Sequence, residues 1–261
     1  PFVNFPGMYF LRMHQKRTYV LALEDAGSIR GMYIGDGPEG LSFRKYGKYL
    51  LLGGKGHRTG ENQGSSYAEL REAAERLYPG SREIACWSAQ DCVTADRIPF
   101  IGRYSAEKPN WYVASGFRKW GMTSSMVSAL LLKDLICGRD NPYAEVFTPD
   151  RFSSEEIPQI AKDSGRAVKG LAKRFFHLPE NTVDMIEPGQ AAVVETPEGK
   201  AGVYRTEDNR IYQVDAVCPH LGCSLVWNQD ERSWDCPCHG SRFDYMGNLL
   251  DGPAQEGISH G

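Results

Sequence analysis

Cys218-Pro219-His220-Leu221-Gly222-Cys223, answered by Cys236-Pro237-Cys238-His239-Gly240-Ser241, decides how the C-terminal third of this chain folds. Two constellations are interleaved there. Cys218 and His220 with Cys236 and His239 read C-x-H-x15-C-x-x-H, one thiolate and one imidazole from each of two loops. Cys223 and Cys238 are a further cysteine in each loop, placed where they can link the two. A zinc site built from the same residue types pairs cysteine with cysteine and histidine with histidine at short spacing. Here each loop mixes the two, and C-x-H is tighter than that pattern. Two unrelated structural disulfides would leave both histidines without a role.

The segment resembles the Rieske [2Fe–2S] family, whose centre replaces two cysteines by two histidines on one iron. By motif position, the resemblance implies that Cys218 and Cys236 hold the inner iron and His220 and His239 the outer one. It also implies a disulfide between Cys223 and Cys238, and a covering third loop at Gly252-Pro253-Ala254. The paired extra cysteines are those of Rieske proteins from respiratory and photosynthetic complexes. Ring-hydroxylating oxygenases typically lack them, and no separate 2-His-1-carboxylate iron site is evident. One position departs from the high-potential pattern. Ser241-Arg242-Phe243 keeps the serine but puts phenylalanine where a tyrosine hydroxyl would bond to cluster sulfur. Such bonds favour the reduced, more negative cluster, so the departure predicts a lower potential.

At 261 residues, 41% hydrophobic and 24% charged, the chain has material for one large or two modest globular domains. No apolar run is long enough to span a bilayer and no signal peptide is visible, which predicts a cytoplasmic protein. The chain opens on Pro1 rather than Met, so the expectation is that its true start lies upstream. Charge is uneven: residues 181–261 carry 5 basic against 13 acidic residues, the remainder 25 against 20. That fits electrostatic docking of an acidic module on a basic body, or a merely solvated acidic surface. No dense basic stripe with aromatics points to nucleic acid. Cys86, Cys92 and Cys137 have no metal spacing and read as buried thiols.

The N-terminal half reads as strands and helices. Tyr19–Leu23 and Tyr49–Leu52 are strand-length apolar runs. Gly53–Gly60 reads as a glycine-rich loop lacking both phosphate-binding spacings. A helix follows, with Ser66 and Glu69 as a capping box and Tyr67, Leu70, Ala74 and Leu77 on one face, ending at Pro79-Gly80. Trp111–Ala114 reads as a strand, Ser115–Gly121 as a turn and Met122–Ile136 as a helix closed by Gly138. Gly121, Ser125 and Ala129 form a small-residue stripe, explained by close packing or by a cofactor at the helix N-terminus.

Asp96-Arg97-Ile98-Pro99-Phe100-Ile101-Gly102, Val113-Ala114-Ser115-Gly116 and Gly121-Met122-Thr123 are similar to the C-terminal flavin-binding signature of FAD-dependent oxidoreductases of the D-amino-acid oxidase and glycine oxidase group. The resemblance implies that Gly116, Arg118, Gly121, Met122 and Thr123 lie against FAD. His57 and Arg118 are the candidates for touching flavin or substrate, without an acid–base assignment; His14, His177 and His260 lack supporting neighbours. That group opens with a βαβ unit bearing G-x-G-x-x-G, which this sequence does not contain. The expectation is therefore the C-terminal portion of a longer flavoprotein, holding half an FAD site.

The predicted fold is α+β. A partial flavoprotein domain, an antiparallel sheet with helices, spans 1–152; a linker with an amphipathic helix at 164–176 spans 153–180; an all-β Rieske domain spans 181–261. The linker helix reads as a docking segment, with a membrane-surface helix as the alternative. The expected function is electron transfer by a [2Fe–2S] cluster coupled to FAD-dependent oxidation of an amine or amino acid. The rival is a non-catalytic carrier whose flavin-like half is only a scaffold. The final acceptor, quinone-type or protein, is left open.

Overall fold

Side chains of a strand alternate between its two faces, so a run that is apolar at every position marks a strand covered on both sides. Leu21-Ala22-Leu23 is such a run, and all three residues are buried. They belong to β1 (Met13–Glu24). The computed structural model describes residues 9–36, 40–61, 64–151, 182–197 and 199–258, with 157, 158, 160–162, 165 and 168 of the linker. β1 lies inside an antiparallel sheet ordered β2–β3–β4–β1–β5, where β2 is Met32–Ile34, β3 Ser42–Tyr46, β4 Tyr49–Arg58 and β5 Arg82–Thr94.

Helix α1 (Ser66–Leu77) covers one face of this sheet. Tyr67, Leu70, Ala73 and Ala74 enter a core with Tyr19, Leu21, Leu23, Leu50 and Leu52. Leu77, expected on that face, is 43% exposed, and Ala73 packs instead. The capping box does not form. The Ser65 hydroxyl donates to Glu69 at 2.7 Å, and the N–H of Ser66 is taken by the carboxylate of Asp230 at 2.9 Å. A side chain of the distant C-terminal half thus caps this helix, which a local pattern cannot show.

The glycine-rich stretch is not a loop. β4 continues through it to Arg58, with Val20 opposite Gly53 and Tyr19 opposite Gly54. A ladder is made by backbone, so it survives where side chains are missing. The strand then turns at Gly60.

A hairpin of β6 (Phe100–Ser105) and β7 (Lys108–Ser115) and helix α2 (Gly121–Ile136) follow, then a short α3 (Ala144–Phe147). Arg151 ties this part together, its guanidinium meeting Asp96 at 2.7 and 3.1 Å. The helix expected at 164–176 lies almost wholly outside the described residues, as do His177 and His260. Among the described residues no helix is long and apolar enough to cross a membrane.

Apart from a single 3-10 turn at Val183–Met185, the described residues of the C-terminal part are strands and their connections. β8 (Ala191–Thr196), β9 (Gly199–Arg205) and β10 (Ile211–Asp215) form one antiparallel sheet ordered β10–β9–β8. β11 (Val226–Asn228), β12 (Ser233–Asp235), β13 (Arg242–Asp244) and β14 (Leu249–Asp251) form a second, a meander. Trp234 and Phe243, both fully buried, share a core with Cys218, Cys223, Cys236 and Cys238.

The two halves are packed together. Gly60, at φ +78°, brings its backbone so close to Pro237 that a Cβ would fall 2.4 Å from the proline Cα. Gly80 has nearly the same φ, +79°, but open space around it. Gly80→Ala therefore measures backbone strain alone. Gly60→Ala adds the collision, and its thermal unfolding should show an extra loss of about 1–3 kcal/mol over Gly80→Ala. Equal losses would show that the halves do not meet there in solution.

Candidate metal centre

Each cysteine-histidine loop closes on itself through its backbone. Cys218 N–H donates to Cys223 O and Gly222 N–H to Cys218 O, both at 2.9 Å. The second loop repeats this, with Cys236 N–H to Ser241 O at 2.8 Å and Gly240 N–H to Cys236 O at 2.9 Å. Turns of this kind aim amides at the sulfur they enclose. The Cys218 sulfur accepts from the N–H groups of His220 and Leu221, and the Cys236 sulfur from those of Cys238 and His239. Such donors favour thiolate, the form that binds metal.

The two sulfurs lie within hydrogen-bond reach of each other. The Cys236 thiol donates to Cys218, which with the Ser241 hydroxyl and the amides brings Cys218 down to about 7, against the opposing effect of burial. Cys236 is pushed up, by giving that hydrogen bond and then by complete burial. The Ser241 oxygen itself accepts from Ala254 N–H at 3.0 Å, joining the second loop to the Gly252–Ala254 loop. The histidine rings lie beside each other with centroids 5.0 Å apart. Burial lowers the pKa of His220, and both its ring nitrogens are buried without a hydrogen-bond partner among the described residues. An imidazole kept neutral with no protein acceptor suits a metal ligand. Cys223 and Cys238 form a disulfide. Their sulfurs and that of Cys236 lie within 4.8 Å of one another, but the disulfide removes two of these as donors, so Cys236 pairs with Cys218.

The flavin-side residues are less tightly gathered. Gly116, Arg118 and Thr123 line a cavity of about 250 Å³ at the start of α2, while Gly121 and Met122 do not, and Met122 is 87% exposed. The small-residue stripe Gly121, Ser125 and Ala129 is exposed. Pro99, Ile101, Phe117 and Val127 make the walls apolar, and Arg97, which sequence reading passed over, adds a second guanidinium. Apolar walls with two cations fit a flat ring system that gains negative charge. Arg97 and Arg118 both have positive φ, at 66° and 54°. His57 is elsewhere: its ring stacks on Tyr19, with Nε2 at 2.9 Å from the tyrosine hydroxyl and Nδ1 at 2.8 Å from Arg58 O.

The model of the family described as FAD dependent oxidoreductase matches residues 3–135, and that of the Rieske [2Fe-2S] domain matches residues 177–260. The chain belongs to the FAD dependent oxidoreductase family and continues into a Rieske domain. A Bacillus subtilis protein named as a Rieske 2Fe-2S iron-sulfur protein, YhfW, is 39% identical over 97% of this chain and 52% of its own length. The chain thus spans about half the length of that relative. The chloroplastic cytochrome b6-f complex iron-sulfur subunit of Fritillaria agrestis is 28% identical over 72% of this chain and 74% of that protein. Glycine oxidase from Geobacillus kaustophilus aligns with a TM-score of 0.48 and 19% identity, over 55% of this chain and 40% of that one. A Rieske domain implies a [2Fe–2S] cluster and the flavoprotein family implies FAD. Together the two domains support an electron-transfer role.

Proposed function

We propose that this chain is the electron-transferring part of a flavin-dependent oxidoreductase acting on an amine or amino acid. In this reading residues 1–152 form the flavin-family domain, 153–180 the linker and 181–261 the cluster domain. Cys218, Cys236, His220 and His239 hold a [2Fe–2S] cluster. The supporting observation is the paired Cys218 and Cys236 sulfurs, each wrapped in N–H donors, with two histidine rings alongside. When bound, FAD supplies two-electron chemistry with the substrate and the cluster accepts single electrons. The chain's own residues do the rest. The amides and Ser241 stabilise negative charge on sulfur, burial keeps His220 neutral, and Arg97 and Arg118 place positive charge beside the flavin-side cavity. The amine or amino-acid class rests on the likeness of Asp96–Gly102, Val113–Gly116 and Gly121–Thr123 to the D-amino-acid oxidase group.

The test is the metal content of the purified chain. About two irons and two acid-labile sulfides per chain are expected, with the spectrum of a mixed nitrogen and sulfur centre. One zinc with no labile sulfide would end the proposal.

Phe243 provides a quantitative test. It is fully buried beside the four cysteines and brings no hydroxyl. Phe243→Tyr is expected to add a hydrogen bond to cluster sulfur and raise the potential. A bond of about 1–2 kcal/mol corresponds to roughly 40–90 mV for a one-electron couple. Protein-film voltammetry of an intact cluster with unchanged potential would place this side chain away from sulfur.

A further inference from the structure

The side of the centre on which the histidines lie is largely covered, and both ring nitrogens of His220 are buried. His239 is 7% exposed and His220 half-buried. Phe10, from the flavin-family half, sets its ring edge-on to both. Its centroid is 5.3 Å from that of His220 and 5.2 Å from that of His239, with interplanar angles of 90° and 84°. Phe10 is no loose flap. It is 5% exposed and shares a core with Tyr9, Met13, Cys92, Phe100, Tyr104 and Val113.

The remaining loops of the centre are held by the same half. Pro237 sits against Gly60, and Gly240 against Gln15, where a Cβ on the glycine would fall 2.8 Å from the Gln15 Cβ. The Gln90 amide donates to Gly240 O at 3.0 Å and to Asp251 at 2.9 Å, and Gln15 donates to Gly252 O at 3.3 Å. Gln90 is fixed in turn by the Thr59 hydroxyl at 2.6 Å. First, second and third loops are thus each gripped by β1, β5, the end of β4 or the turn before β1. A redox protein that serves a diffusible partner through its histidine ligands must leave them reachable. Here the exposed side chains of that loop are Pro219 and Leu221, the latter 47% exposed.

We infer that the histidine edge is a closed internal interface. Phe10 is its positioning residue, and its docking partner is the flavin-family half of the same chain, not a diffusible quinol or carrier protein. This rests on the reading of His220 and His239 as cluster ligands.

The test is carbethoxylation of the two histidines in the cluster-loaded full chain, followed by peptide mass mapping while the cluster spectrum is monitored. Phe10→Ala should speed modification of His220 and His239 at least about tenfold, because the packing that protects them is removed. Phe10→Leu, which keeps most of the volume, should stay near the parent rate, and Leu221→Ala should leave the rate unchanged. Equal rates in the parent chain and Phe10→Ala would overturn the closure, as would acceleration by Leu221→Ala instead. Should Phe10→Ala not fold, the parent chain decides. Rates at least about a hundredfold below that of N-acetylhistidine support closure, and rates within about tenfold refute it. A chain that assembles no [2Fe–2S] spectrum fails the functional proposal itself. A normal spectrum with freely reacting histidines fails only the closure.

Discussion

Cys236→Ala is expected to abolish the cluster, while Cys223→Ala, whose native sulfur lies within 4.8 Å of that of Cys236, is expected to keep it. Both residues are buried cysteines in the same core, so bulk and burial do not separate them. Their chemistry does. Cys236 has its sulfur against that of Cys218 and inside a ring of amides, whereas the sulfur of Cys223 is already bonded to Cys238. Removing Cys236 leaves one thiolate where a cluster of this type needs two. Removing Cys223 cuts a covalent link over a sequence separation of 15, which in loop-entropy terms is about 3 kcal/mol. The expected result for Cys223→Ala is a full complement of iron with a shortened lifetime on warming, read from the decay of visible absorbance. Iron retained in Cys236→Ala, or lost at once from Cys223→Ala, would reverse the assignment of ligand and brace.

The candidate centre was legible in sequence because the residues proposed as its ligands are local: two short loops carry all four, at a spacing unlike the usual zinc pattern. What holds the centre in place was not legible. Phe10, Gln15, Gly60, Gln90 and Asp230 act on partners that are 140 or more residues away in the chain, and no periodic pattern points to those partners. One signal was present. Met13, Gln15, Arg17, Tyr19, Leu21 and Leu23 share one parity of β1, and all six are buried. Two polar residues on an otherwise apolar face announce a polar partner layer. The capping box at Ser66 and the loop at Gly53 failed for a related reason. Ser66 is capped across the interface, and the glycines of β4 are ladder positions whose missing side chains make room for neighbours.

Arg17 leads to the last prediction: Glu231→Gln should cost about 3–5 kcal/mol, because it strands two buried cations. The Glu231 carboxylate lies 3.0 Å from Arg17 of β1 and 3.4 Å from Arg242 of β13, with the two arginine side chains 3% and 8% exposed. Tyr67 of α1 donates to the same carboxylate at 2.8 Å, and Arg17 also bonds to Ser88. Burial and then the charge of Arg242 already pull Arg17 below its ordinary value. Without Glu231, the two guanidiniums would face each other, offset by Asp235, bonded to Arg242 at 3.1 Å, and by the charge of Asp251. The pH dependence separates this from a packing defect. Burial raises the Glu231 pKa, but hydrogen bonds from Ser88 and Tyr67 and the charges of Arg17 and Arg242 outweigh it, and the net shift is downward. A lowered carboxyl stabilises the fold above its unfolded value of about 4.3, and that contribution fades as pH falls through the lower folded value. Nearby Asp251 is raised by burial and acts in the opposite sense in both proteins; Asp230 is raised mainly by burial but also by the charge of Glu231, so Glu231→Gln relieves a small part of its shift. The difference in unfolding free energy between parent and Glu231→Gln should therefore be constant from neutral pH down to about 5 and shrink below it. A difference that stays constant through pH 3, about a unit below the unfolded glutamate value, would mean that shape rather than charge holds the two halves together at this point.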